Sequence, residues 1–258
     1  MFRVAVTGIG LLSPLGLDVG SFWDGLCAGR SGVDFITEFS TEKLRTDIAA
    51  NVRGFDPKSV LETREIDYTG RVVQLGLAAS LQAVREARLE DVDRTRVGVL
   101  VSSGQGSVEI FVDQVQRAAA RGPRAVSPYF IPSAMPNALS GLIATKLGLR
   151  GPSFNIASAC ATSTHSLAIG ALLILSGDAD VVIAGGGEAA TCPATIAGFG
   201  NARALAKAYQ GDPTRASRPY DKHRNGFVIG EGAGAIVLES EAHAKARGAR
   251  PLAWLTGW

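Results

Sequence analysis

The sequence predicts an α/β fold, and three features of its pattern support this prediction. Short apolar runs rich in valine and isoleucine end in clusters of glycine, as buried strands of a parallel sheet do. Longer segments with the period of a helix lie between these runs. One of these segments, 161–176, is apolar around its whole circumference. We therefore expect mostly parallel strands joined by helices, one of them enclosed.

The short apolar runs give the strands. They are expected at 4–7, 98–102, 153–157, 181–184 and 235–239. Each run is only four or five residues long and is of the type found in buried strands. A run beginning at residue 153 is of particular interest, because it leads directly into the enclosed helix.

The longer segments give the helices. They are expected at 19–28, 70–87, 109–120, 138–147 and 161–176. In 70–87 the apolar side chains recur on one side, which predicts one buried and one solvated face. In 161–176 leucine and isoleucine occur on every side, so we expect this helix to be buried all round. The polar segment 206–225 is expected to be a long loop that carries function or contacts.

Composition excludes several classes of protein. With 258 residues, 46% of them hydrophobic, the chain can bury the core of a globular domain. A net charge of +2 without a run of basic residues argues against nucleic-acid binding. The N-terminus does not resemble a signal peptide, and no apolar stretch is long enough to span a membrane. We therefore expect a cytoplasmic protein.

Known cofactor and metal motifs are weak or missing. Gly8 and Gly10 follow a predicted strand, but Ser13 stands where a dinucleotide-binding motif needs a third glycine. Glycines that give the backbone room in a tight turn are the simpler interpretation. The sequence contains no G-x-S-x-G, P-loop or H-E-x-x-H motif. Cys27, Cys160 and Cys192 form no C-x-x-C pair, so we expect neither a metal nor a cofactor.

Cys160 is the candidate nucleophile. It stands where strand 153–157 gives way to helix 161–176, and the unpaired N–H groups at a helix start favour a thiolate. Small residues on both sides leave room for a substrate, although a small buried hydrophobic role is the open alternative. His165 lies one turn into the helix, so we expect it to be a buried, hydrogen-bonded support. Cys27 and Cys192 lack a helix-start signal and are expected to be structural, and neither His223 nor His243 is a convincing base.

Six segments resemble one known family. They are "TGIGLLSPLG", "SPYFIPSAMPN", "GLRGPSFNIASACATSTHSLA", "GDADVVIAGGGEAA", "GFGNARAL" and "SRPYDKHRNGFVIGEGAGAIVLE", in this order along the chain. Together they resemble the N-terminal half of the beta-ketoacyl-acyl-carrier-protein synthases of the type II elongating class. The resemblance implies a thiolase-like fold, with residues 1–258 forming its N-terminal βαβαβ-type half. It also implies a mixed, mostly parallel sheet and a buried helix that follows the nucleophile.

The resemblance assigns a reaction to Cys160. The family's cysteine accepts a fatty acyl group from acyl carrier protein, and the carbanion of decarboxylated malonyl carrier protein then attacks this thioester. By the same resemblance, Gln105, Phe199 and Met135 would form the acyl pocket, although the family usually carries an apolar residue where Gln105 stands. Glu188 would be structural. Arg64, Arg124 and Arg203 would help to dock the carrier protein.

The resemblance also bears on partners. A complete condensation in this family needs two histidines, a lysine and a phenylalanine from the C-terminal half of the fold, which follow the last residue of this sequence. We therefore expect at least a homodimer, formed as in the family by a sheet that continues across the two-fold axis, or a separate chain that carries those groups. Two alternatives stay open: a non-catalytic interaction or dimerisation subunit, and a thiolase-type transfer to coenzyme A.

Overall fold

The computed structural model describes residues 3–257, which form seven strands and nine α-helices. The strands are β1 Val4–Leu12, β2 Asp34–Phe35, β3 Ile48–Ala49, β4 Val97–Ser102, β5 Val181–Ala189, β6 Glu231–Ser240 and β7 Ala253–Leu255. The helices are α1 Val19–Cys27, α2 Thr63–Ile66, α3 Arg71–Ala87, α4 Val108–Arg121, α5 Phe130–Ala134, α6 Ala138–Leu147, α7 Thr162–Leu175, α8 Pro193–Asn201 and α9 Glu241–Ala246.

The main sheet has five strands in the order β4-β5-β6-β1-β7. Its mixed character and the α/β class are confirmed, but the expectation of mostly parallel strands is wrong. Within the described residues only β4 and β5 are parallel, whereas β5–β6, β6–β1 and β1–β7 are antiparallel. The chain returns from β5 to β6 through a long connection at the same end of the sheet, and this reverses the strand direction.

Helices cover both faces of the sheet. On one face α3 packs against β1, β5 and β6, and α6 packs beside it against β4. On the other face α7 lies across β4, β5 and β6. Two glycines of β1 allow α3 to approach closely, because a Cβ at Gly10 would lie 2.1 Å from the carbonyl oxygen of Ala79. Gly8 has the same relation to Ala83, so both glycines provide backbone room within a strand and not in a turn.

The predicted helices are present with small shifts at their ends. Four of the five predicted strands are also present, and 4–7, 181–184 and 235–239 extend into longer strands. The fifth, 153–157, is wrong as a regular strand: Ser153 alone pairs with Val99, in an isolated parallel bridge. Segment 206–225 is confirmed as a long irregular connection that contains one short 3-10 turn.

The position of α7 bears on the expectation that helix 161–176 is enclosed. Its buried residues, among them Ser166, Gly170 and Ile174, face the sheet. Its opposite face is open within residues 3–257, where His165 is exposed and Leu172 is 46% exposed. The described part of the chain therefore covers the helix on one side, and the cover of its other side stays a prediction.

Candidate active site

Cys160 lies on a short 3-10 turn, Ala159–Ala161, that leads directly into α7. Its thiol is free and exposed. The preceding residue, Ala159, has a φ of 51°, which is in the left-handed region that residues with a Cβ rarely adopt. This sharp turn presents the sulfur at the N-terminal end of a 14-residue helix, where the helix dipole favours a negative charge.

Side chains hold the approach to this turn in an extended form. The backbone N–H of Ser103 donates to Oδ1 of Asn155 at 2.8 Å, and Nδ2 of Asn155 donates back to the Ser103 carbonyl oxygen at 3.1 Å. The N–H of Ile156 donates to Oγ of Ser102, which also accepts from Oγ of Ser166. Side chains thus replace the backbone ladder of the expected strand, and they tie the nucleophile turn to the end of β4.

A cavity of about 610 Å³ opens beside Cys160. Its lining includes three other residues that the sequence analysis singled out, namely Gln105, Glu188 and Phe199. Glycines at the ends of β5 and β6 form much of the remaining wall. Met135 does not join this group, because it lines a second cavity of about 390 Å³ together with Tyr68 and Tyr129. Its role in an acyl pocket stays a prediction.

Glu188 anchors the loop that follows β4. Its Oε1 accepts from Oγ of Ser103 at 2.9 Å, and its Oε2 accepts from the backbone N–H groups of Gly104 and Gln105 at 3.1 and 3.2 Å. Burial raises the pKa of Glu188, although these hydrogen bonds act in the opposite direction. The loop also approaches the nucleophile turn, since a Cβ at Gly104 would lie 3.6 Å from the carbonyl oxygen of Ala159.

The histidines do not converge on the sulfur. Nδ1 of His165 forms a 2.7 Å hydrogen bond with Oγ of Ser158, so the expected hydrogen bond is present, but the side chain is exposed and not buried. His223 lies in the irregular segment and is exposed. His243 forms a hydrogen bond with the buried Glu239. None of the three lines the cavity at Cys160.

Sequence reasoning missed the buried carboxylate of Glu239. It accepts from Nε and Nη2 of Arg247 at 2.6 and 2.7 Å and from Oγ1 of Thr7 at 3.0 Å. Burial works to raise the pKa of Glu239, but the hydrogen bonds and charge of Arg247, together with His243, lower it overall. Thr7 is 232 positions away along the chain, so no local pattern could have indicated this contact.

The three arginines predicted to dock a carrier protein are all exposed. Arg64 lies on α2, with its Nε 3.0 Å from a carboxylate oxygen of Glu62. Arg124 lies on the 3-10 turn after α4, and Arg203 follows α8 with a φ of 57°. All three charges are therefore accessible to a partner.

Between residues 3 and 257, no three His, Cys, Asp or Glu side chains lie together as metal ligands would. Over the same residues, none of the helices combines the length and apolar character needed to cross a bilayer.

Comparison with known proteins gives consistent matches along the chain. The sequence model described as "Beta-ketoacyl synthase, N-terminal domain" matches residues 1–244. The 3-oxoacyl-acyl-carrier-protein synthase 2 of Vibrio cholerae is 43% identical over 258 residues, which cover 99% of this chain and 62% of that protein.

Solved structures agree. A structure described as the ishigamide ketosynthase/chain length factor matches with a TM-score of 0.89 and 33% identity, over 99% of this chain and 62% of that one. A second structure, described as a type II PKS acyl-carrier protein in complex with its ketosynthase bound to the hexaketide, matches with a TM-score of 0.88 and 29% identity. That match covers 99% of this chain and 62% of the other. The chain thus spans slightly less than two thirds of the length of these proteins.

Proposed function

Because the chain belongs to the beta-ketoacyl synthase family, whose N-terminal domain matches residues 1–244, we propose that it serves a 3-oxoacyl-acyl-carrier-protein synthase. In this proposal Cys160 accepts the acyl group from acyl carrier protein. The observation that carries it is the exposed, free thiol on the turn before α7, facing a cavity large enough for an acyl chain. We assign to the described residues the acyl-transfer half of the reaction.

The transfer is a thioester exchange. The Cys160 thiolate attacks the carbonyl carbon of the acyl thioester, a new C–S bond forms, and the bond to the carrier's sulfur breaks. The released carrier thiolate takes up a proton to replace the one that Cys160 lost. The N–H of Cys160 supplies one donor to the oxyanion of the tetrahedral intermediate.

The second half of the reaction consumes this acyl-enzyme. Malonyl carrier protein loses carbon dioxide, and its carbanion attacks the Cys160 thioester. The thiolate of Cys160 leaves, and the product is a 3-oxoacyl chain that is longer by two carbons. The cavity beside Cys160 would hold the growing chain, with Gln105 and Phe199 on its wall.

The partner of this reaction would be acyl carrier protein. Arg64, Arg124 and Arg203 supply exposed positive charge for a negatively charged surface. A related ketosynthase has been solved in complex with an acyl-carrier protein.

Two of the three free cysteines, Cys27 and Cys160, are exposed. A reducing compartment preserves such thiols, so we place the protein in the cytoplasm.

We also propose a homodimer. Segment 153–157 lies along β4, an edge strand of the main sheet, and its Phe154 is 40% exposed. Exposed apolar side chains at a sheet edge are typical of an interface between subunits. Light scattering should give a mass of twice 26.8 kDa. Phe154→Glu should shift the protein to the monomer, and a monodisperse monomer of the unmodified protein would contradict the proposal.

The open face of α7 needs a cover of its own. Leu172 is 46% exposed there, and its neighbours Leu173 and Ile169 are only partly buried. We propose that the second half of the thiolase-like fold, in the same protein or in a separate chain, packs on this face. Native mass spectrometry of the complex purified from its source would identify that partner, and a complex without any such half would contradict the proposal.

The decisive experiment for acyl transfer is direct labelling. The protein is incubated with hexanoyl carrier protein, and its intact mass is measured. We expect one hexanoyl group per chain in the unmodified protein and none in Cys160→Ala. Cys27→Ala is a matched control, because Cys27 is also free and exposed but lies outside the cavity, and it should be labelled fully. Equal labelling of Cys160→Ala and the unmodified protein would refute the proposal.

A further inference from the structure

The cavity beside Cys160 contains few polar side chains, and most of them already have partners. Oγ1 of Thr162 accepts from the N–H of Ser158, and Oγ of Ser102 interacts with Ile156 and Ser166. The carboxylate of Glu188 accepts three hydrogen bonds from the loop that follows β4. These groups have little capacity left to bind a substrate.

Ser163 is exposed on the same wall, and its hydroxyl lies against the backbone of Gly186, where a Cβ would come within 2.4 Å of Oγ. Most of the other wall residues are glycine or alanine, together with the apolar side chains of Phe199 and Ile229. These residues can accommodate an acyl chain by its shape, but their side chains cannot recognise a polar group on it.

Between residues 3 and 257, Gln105 and Ser163 are the polar side chains of this wall without a hydrogen-bond partner, and Gln105 has the longer reach into the cavity. Its backbone N–H is held by Glu188, which fixes the position of its Cα. Within residues 3–257 its side-chain amide makes no hydrogen bond to the protein, and the residue is exposed on the cavity wall. An amide offers both an acceptor oxygen and two N–H donors. An apolar pocket wall with a small number of polar side chains is typical of ligand sites, where those side chains provide the specificity.

We propose that the amide of Gln105 binds an oxygen atom, as ketone or hydroxyl, on the acyl chain that Cys160 accepts. This proposal rests on the proposed function and makes it more specific. The site would prefer oxygenated acyl chains to fully saturated ones of the same length. The preference should be modest, about fivefold, because one neutral hydrogen bond at an exposed group competes with water.

Competition for Cys160 tests this preference. The protein is offered equal amounts of hexanoyl, 3-oxohexanoyl and 5-oxohexanoyl N-acetylcysteamine thioesters, and the adducts on Cys160 are counted by mass spectrometry. The same mixture is offered to Gln105→Leu. The ratio of each oxo adduct to the hexanoyl adduct in the unmodified protein is divided by the same ratio in Gln105→Leu. This division cancels the intrinsic reactivity of each thioester. Gln116→Leu is the matched control, because Gln116 is exposed on α4 and does not line the cavity.

We expect at least one oxo adduct to be about fivefold more abundant, relative to hexanoyl, in the unmodified protein than in Gln105→Leu. Gln116→Leu should match the unmodified protein. Equal ratios in the unmodified protein and Gln105→Leu would overturn the proposal, as would a higher oxo share in Gln105→Leu. Failure of the proposed function would look different, because then no thioester would label Cys160 at all.

Discussion

Removing the carboxylate of Glu188 should weaken both the fold and the acyl transfer. In Glu188→Ala, Oγ of Ser103 and the N–H groups of Gly104 and Gln105 lose their common acceptor. Each hydrogen bond to a charged group contributes about 1.5 kcal/mol or more, and removing the partly buried carboxylate also removes its desolvation cost, which offsets part of the loss. We expect the free energy of unfolding to fall by about 3 kcal/mol.

Two measurements check this effect. Urea denaturation followed by tryptophan fluorescence gives the free energy of unfolding. Intact-mass kinetics with hexanoyl carrier protein give the rate of Cys160 acylation. We expect that rate to fall about tenfold, because the loosened loop packs beside the nucleophile turn, and small misplacements of reacting groups are costly. Glu188→Gln keeps one acceptor oxygen for the two backbone N–H groups and should lose only about 1 kcal/mol.

The pH dependence gives an independent check. Because the pKa of Glu188 is raised in the folded protein, the folded state binds more protons than the unfolded state above about pH 4. The contribution of this group to stability therefore decreases as the pH rises through the raised pKa. The difference in stability between the unmodified protein and Glu188→Gln should shrink over that interval. A loss below about 1 kcal/mol in Glu188→Ala, or a difference that grows with pH, would refute the reasoning.

Three further predictions concern other parts of the chain. Arg247→Ala should lower the free energy of unfolding by about 3 to 5 kcal/mol in urea, because Glu239 would keep a buried charge without its main partner. Because the pKa of Glu239 is lowered in the folded protein, its contribution to stability is present above about pH 4 and is lost as the pH falls through that lowered pKa. In Arg247→Ala the free energy of unfolding should therefore decrease less steeply as the pH is lowered. Gly10→Ala should give insoluble protein on expression, because its Cβ would lie 2.1 Å from a carbonyl oxygen of α3. Gly141 has open space around it, so Gly141→Ala should fold, with a free energy of unfolding that is higher by about 0.5 to 1 kcal/mol. Arg124→Glu should slow the acylation of Cys160 by hexanoyl carrier protein about tenfold at low salt. Acylation by hexanoyl N-acetylcysteamine, which has no carrier protein to dock, should be unchanged. Equal slowing with both donors would contradict a docking role.

The local features of this fold could be predicted because they depend on short stretches of sequence. The helices at 70–87 and 138–147 follow from their apolar period, and their bounds agree closely with α3 and α6. The position of Cys160 at a helix start follows from the change of pattern around it. Strand direction could not be predicted in the same way, because the apolar run of β6 has the same form whether it lies parallel or antiparallel to β5.

The contacts that hold the candidate site could not be predicted from local pattern. Asn155 replaces backbone pairing by reaching Ser103, which is 52 positions away. Glu188 reaches the same loop over about 84 positions. The sequence shows that such side chains are present, but only the fold brings them to one edge of the sheet. The apolar pattern of α7 indicates that its surface is covered, but the pattern does not indicate which part of a protein covers it.

The left-handed turn at Ala159 affects how firmly the thiol of Cys160 is oriented. A Cβ in this conformation costs about 1 kcal/mol in the folded state. Glycine would remove that cost, but it would add a similar amount of backbone freedom to the unfolded chain. The two effects nearly cancel, so alanine keeps the residue before the sulfur stiff at almost no thermodynamic disadvantage. Ala159→Gly should therefore stay folded with a nearly unchanged free energy of unfolding, while its more mobile turn orients the Cys160 thiol less strictly.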